Sequence, residues 1–159
     1  MKTWIMMRHG KSSWTYPVSD QDRPLSERGI NDAHRMGVFL STKELKVDAA
    51  FTSPAIRAAH TALIVTKELA LPMHKLSISP NLYDFGGDDV LEFIHCLPDT
   101  YETVITFGHN DACTRLACKL AGFEGTNIPT AGIVFFRFDV SLWSSIHYGE
   151  AKYYTPKMH

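Results

Sequence analysis

The chain predicts an α/β fold, a largely parallel sheet with helices on both faces. Short apolar runs at residues 4–7, 47–52 and 103–107 have the length and composition of buried strands, and each is followed by a segment with helical spacing. Each hand-over from strand to helix passes through polar residues: Arg8-His9-Gly10, Ser53-Pro54 leading into Arg57, and Gly108-His109-Asn110. In sheets of this kind ligands bind beyond the carboxyl ends of the strands, so these three clusters are expected to converge.

The totals narrow the class. At 159 residues the chain fits one domain, 1–159, large enough for a substantial core. Formal net charge is -1, with Lys and Arg spread along the chain, which argues against nucleic acid or an anionic membrane as partner. No run approaches the roughly 20 apolar residues of a membrane span. The first apolar run is too short for a signal peptide before Arg8 interrupts it, so a cytoplasmic protein is expected. Cys96, Cys113 and Cys118 lack ligand spacing and read as reduced, mostly buried thiols. His34, His60, His74, His95, His147 and His159 are scattered, and no metal or other cofactor is expected.

The first apolar run ends at Arg8, and Gly10 permits a sharp turn into a polar loop, residues 11–23. Ser26 is a plausible N-cap for a helix with Ile30, Ala33, Gly37 and Leu40 on its apolar face and Glu27, Arg28, Asp32 and Arg35 on the other. After the second strand, Ser53 as N-cap and Pro54 at the first helical position mark a helix in which Ile56, Ala59, Leu63 and Ala70 keep helical spacing until Pro72 stops it. Arg57 then lies in the first turn, beside free backbone N–H groups.

A weak third strand surrounds Leu76 and Ile78, followed by the loop Pro80-Asn81-Leu82-Tyr83-Asp84-Phe85-Gly86-Gly87. Asp88 and Asp89 read as first-turn charges of a short helix that buries Val90 and Ile94. The clearest strand, residues 103–107, precedes a helix with Cys113, Leu116, Ala117 and Leu120 inward and Gly122 as its stop. Residues 131–138 form a further strand and 143–154 an edge strand, with Lys157, Met158 and His159 frayed.

If Arg8, Arg57, His9 and His109 meet, the chemistry is that of phosphate. Guanidinium forks suit phosphate oxygens, a neutral imidazole can attack phosphorus, and a protonated one can donate to an equatorial oxygen. The arginines then fill the electrostatic role that Mg²⁺ has elsewhere.

The sequence resembles the histidine phosphatase superfamily, the phosphoglycerate mutase-like proteins, and within it the short phosphohistidine phosphatases of the SixA type. The resemblance rests on Arg8-His9-Gly10, on Arg23-Pro24-Leu25-Ser26-Glu27-Arg28-Gly29, on Ser53-Pro54-Ala55-Ile56-Arg57-Ala58 with Thr61, on Gly108-His109-Asn110 and on the Thr155-Pro156-Lys157 tail. It implies a three-layer αβα sandwich with a mostly parallel sheet. It also implies that His9 is the phosphate-accepting nucleophile and that Arg8, Arg57 and His109 form the phosphate pocket. Arg23 matches a further arginine that reaches that pocket, with an ordinary loop arginine as the alternative. Many relatives carry an acid in the loop after the third strand, and here that loop offers Asp84, as general acid or as a turn residue satisfying its own backbone.

An alkoxide leaving group needs a proton, whereas imidazole departs more easily, so a weak acid favours phosphohistidine on a partner protein over a phosphate ester. The expected protein is a metal-independent, monomeric phosphatase. A small-molecule phosphomonoesterase or mutase of the same fold is the first alternative, and a non-catalytic phosphate-binding module the second. Trp14 and Tyr16, in the loop beside the pocket, are placed to touch a substrate.

Overall fold

In the computed structural model, which describes all residues Met1–His159, the chain alternates strands and helices. The elements are β1 (Lys2–Arg8), α1 (Glu27–Ser41), β2 (Ala49–Thr52), α2 (Ile56–Glu68), β3 (Leu76–Ile78), α3 (Asp88–His95), β4 (Thr103–Gly108), α4 (Ala112–Ala121), β5 (Ile133–Phe138) and β6 (Glu150–Tyr154). They build one six-stranded sheet in the order β3-β2-β4-β1-β5-β6. The strands β1 to β4 pair parallel, and β5 and β6 add antiparallel at one edge, so the sheet is mostly parallel as expected.

Alternation along β1 explains the layers. Trp4 and Met6 join the core beneath α3 and α4, with Ile94, Leu116 and Leu120. Ile5 and Met7 join a second core beneath α1 and α2, with Met36, Leu40, Ala62 and Val65. Central strands that are apolar on both faces therefore sit between two layers of helices, an αβα sandwich.

Register then sets the site. Arg8 of β1 pairs with Gly108 of β4, and Thr52 of β2 pairs with Phe107, so three parallel strands stop at one level. The His9 and Ser53 amides continue the ladder, donating to Gly108 O and Phe107 O, both at 3.0 Å. Residues that follow these strands are thereby side by side.

Several expectations are corrected by packing. Helix α2 begins at Ile56 with Ala55 before it, and Ser53 does not cap it. Ile56 and Leu63 are exposed, and the buried stripe is Arg57, Ala58, Thr61, Ala62 and Val65, because α2 is rotated to bring Arg57 and Thr61 under the strand ends. Asp32, expected on the polar face of α1, is buried with Arg28 and Arg35 at 3.5 and 3.7 Å. Trp143 is not in the edge strand: it lies in a 3₁₀ turn, fully buried, its indole N–H donating to Tyr101 O at 2.9 Å. Cys113 is buried, but Cys96 and Cys118 are exposed. The C-terminus is not frayed, for Pro156–Met158 form a 3₁₀ turn and the His159 ring stacks on Phe39 with centroids 3.8 Å apart. The N-cap at Ser26 and the stop at Gly122, with φ 66°, are as read.

Candidate active site

The turn after β1 fixes the state of His9. Its Nδ1 lies 2.6 Å from the carbonyl of Gly10, and a carbonyl only accepts, so Nδ1 carries the hydrogen and Nε2 keeps its lone pair. A Cβ on Gly10 would come within 2.7 Å of Gly29 O, and one on Gly29 within 2.1 Å of Lys11 O. The two glycines let this turn press directly on the first turn of α1. Ser26 completes the joint, donating through its backbone N–H and its hydroxyl to Lys11 O at 2.8 and 2.9 Å. From α2, Thr61 Oγ1 accepts the Gly10 N–H at 3.0 Å.

Arg57 connects the three strand ends. It is 1% exposed, and its Nε lies 3.3 Å from His9 Nε2 while its Nη2 lies 3.4 Å from His109 Nδ1. Arginine only donates, so both imidazole nitrogens accept, and His109 then donates from Nε2 to Ser53 Oγ at 2.8 Å. The two imidazole centroids are 5.2 Å apart. Arg8 donates to Ile128 O at 2.7 Å, and Arg23 donates to Ser12 Oγ and, at 2.9 Å, to Asp20 Oδ1. The Nε atoms of Arg8 and Arg23 are buried without hydrogen-bond partners.

Around these groups is a cleft of about 230 Å³, lined by Arg8, His9, Lys11, Ser12, Trp14, Asp20, Arg23, Arg57, Phe85, Asn110 and Thr130. Four cationic side chains face one carboxylate there, an environment that favours an anion. Burial, reinforced by the neighbouring arginines, pushes His9 down to about 4. Burial, then His9 and Arg57, pushes His109 down to about 3. Both rings are therefore neutral at neutral pH, which suits His9 as a nucleophile. Asp20 is held well below the usual carboxylate range, first by the Tyr83 hydroxyl at 2.7 Å and next by Arg23.

The expected residues Arg8, His9, Arg23, Arg57 and His109 come together. Asp84 does not join them. Its Oδ1 accepts the Gly86 N–H at 3.0 Å, and its Oδ2 accepts those of Gly87, Asp89 and Val90 at 3.0, 3.0 and 3.1 Å. Of the two readings of Asp84, the geometry is that of the turn residue, extended to closing the N-terminus of α3.

Asp20, Ser53, Thr61 and Tyr83 also shape the site, and their roles were not read from the sequence. Asp20 precedes Arg23 by three positions in a 3₁₀ turn, a spacing that brings the two side chains together, but the loop composition masked that turn. The bonds of Tyr83 and Ser53 span many residues and leave no local signal.

The fold has known counterparts. The chain is similar, at 31% identity over 157 residues covering 90% of it and 93% of the relative, to an uncharacterised protein of Mycobacterium tuberculosis. Among solved structures it is similar to the protein histidine phosphatase SixA complexed with tungstate, with TM-score 0.80, 23% identity and 98% of both chains covered. A chain from Nakamurella multipartitia named for phosphohistidine phosphatase SixA gives TM-score 0.82 at 21% identity, over 98% of this chain and 96% of that one. Residues 4–85, which hold Arg8, His9, Arg23 and Arg57, match the histidine phosphatase superfamily (branch 1), and the chain belongs to that family.

Proposed function

We propose that this protein is a metal-independent phosphatase that carries the phosphoryl group on His9 Nε2 and takes it from phosphohistidine in a partner protein. The reading of the nucleophile rests on the His9 tautomer, with Nε2 bearing a lone pair in a cleft of guanidiniums. Arg57 Nε turns from that nitrogen to a phosphoryl oxygen as substrate enters, giving up a long bond of 3.3 Å.

The Nε2 lone pair forms the new bond to phosphorus while the phosphorus–nitrogen bond of the substrate breaks. The bonding pair leaves with the departing imidazole, which takes a proton from solvent. Arg8, Arg23 and Arg57 bear the charge on the equatorial oxygens. The incoming anion raises the proton affinity of His109, whose Nδ1 takes a proton from solvent as Arg57 Nη2 turns to the substrate and then donates to one of those oxygens. Water next attacks phosphorus, the bond to His9 breaks, and inorganic phosphate leaves with His9 neutral again.

The observation that carries the substrate class is the environment of the loop carboxylate. Both Asp84 oxygens already accept backbone N–H groups, and the one carboxylate that lines the cleft, Asp20, is held ionised. With no acid poised to protonate an alkoxide, a leaving group that departs without one fits best.

The test is phosphate release, with a chelator present, from a phosphohistidine peptide and from an unactivated alkyl phosphate. Release from the peptide that disappears in His9→Ala is the expected result. Preference for the ester makes the protein a metabolite phosphatase, and release from neither makes it a phosphate-binding module.

A further inference from the structure

Two of the three tryptophans, Trp4 and Trp143, are fully buried, whereas the third, Trp14, is 76% exposed, and Phe85 is 44% exposed. Scattered exposed aromatics need no explanation, but these two line the cleft that contains His9. Each ring is also fixed from within. The Arg23 guanidinium lies over the indole of Trp14 at 3.8 Å. The Phe85 ring packs on His109 at 4.8 Å and edge-on to Tyr83 at 5.2 Å. Water-exposed apolar surface is thus held in place beside the nucleophile, on the loops after β1 and β3.

In-line displacement gives the direction of the leaving group. His9 is buried and lines the cleft, so a phosphoryl group on Nε2 lies within the cleft and the bond that breaks points away from His9. A flat π system emerging there gains stacking on an indole or phenyl face, and as imidazolium it also gains cation–π attraction. An alkyl amine gains less from stacking. We propose that Trp14 and Phe85 hold the departing imidazole ring and make the site selective for an aromatic over an alkyl leaving group among phosphoramidates. The inference rests on the phosphohistidine reading above.

The experiment compares kcat/KM on a phosphohistidine peptide and a phospholysine peptide of the same sequence, both with a phosphorus–nitrogen bond, for wild type, Trp14→Ala, Phe85→Ala and Trp14→Phe. Loss of Arg23 positioning would act on both substrates, so the ratio isolates the leaving group. The expected result is a wild-type preference for phosphohistidine that drops about tenfold in Trp14→Ala, drops similarly in Phe85→Ala and returns with Trp14→Phe. A ratio unchanged in both alanine variants overturns the aromatic role while leaving the phosphatase reading intact. Hydrolysis of an aryl phosphate with none of either phosphoramidate overturns both.

A binding measurement gives a second readout. Because Trp14 is the one exposed tryptophan, the fluorescence of His9→Ala, which cannot turn over, reports contact with that ring. Quenching by the phosphohistidine peptide and not by the phospholysine peptide is expected; equal quenching by both, or by neither, counts against the proposal.

Discussion

Asp20 holds Arg57 twice, its Oδ2 accepting from Nη2 at 2.9 Å and its carbonyl accepting from Nη1 at 2.5 Å. A residue on an exposed turn thereby aims a guanidinium buried beneath three strand ends. It is also the one carboxylate lining a cleft of cations. Asp20→Asn should keep the carbonyl contact but lose the charge, lowering stability by about 1 kcal/mol, a figure discounted because the carboxylate is half in water. Saturating vanadate supplies the missing negative charge, so the difference in thermal midpoint from wild type should narrow when it is added. A gap that stays the same with vanadate would show that Asp20 does not serve as the counter-ion of Arg57.

Arg57 combines charge with a fixed fork. Arg57→Lys retains the charge but cannot reach His9, His109 and Asp20 together, and kcat/KM should fall about 100-fold, with vanadate affinity reduced as well. Steady-state kinetics and a vanadate titration check both effects.

Asp84 is expected to matter for stability more than for chemistry. Asp84→Ala leaves four backbone N–H groups at the start of α3 without their acceptor and should cost about 1–2 kcal/mol in chemical denaturation. Hydrolysis of phosphohistidine and of an alkyl phosphate should change by similar factors. A general acid would instead show as a selective loss on the ester.

The buried histidines make stability fall with acid. Both have folded values below the ordinary 6.5, about 4 for His9 and about 3 for His109, so the unfolded chain binds more protons below pH 6.5. Their contribution is whole above that pH and is lost as pH falls toward 4, by about 1 kcal/mol or more per pH unit for the pair. Urea denaturation between pH 7 and 5 should show this slope in wild type and a reduced slope in His109→Gln.

Gly29 is required at the helix that braces the turn after β1. A Cβ there would lie 2.1 Å from Lys11 O, so Gly29→Ala must push the turn away from α1. A loss of about 2–3 kcal/mol is expected, together with a fall in turnover, since the displaced segment carries His9. Thermal unfolding and phosphate release on the same sample check both.

The alternation of strands and helices is legible in the residues alone, because buried central strands must be apolar on both faces and helix ends need their caps and glycines. The strand at residues 103–107, the cap at Ser26 and the stop at Gly122 are local features of this kind, and the rule that ligands gather beyond parallel strand ends then placed His9, Arg57 and His109 together. Tertiary structure decided what depends on contacts between distant residues. The rotation of α2 follows from seating Arg57 and Thr61 under the sheet, which no periodicity within that helix reveals. The choice for Asp84 between acid and turn residue depends on which backbone N–H groups fold back to it, and the bond of Asp20 to Arg57 spans 37 positions. The side chain at residue 20 becomes part of the site only when β1, α2 and the loop after β3 close around it, since a hydrogen bond needs its partners within about 3 Å and only the folded chain brings them there.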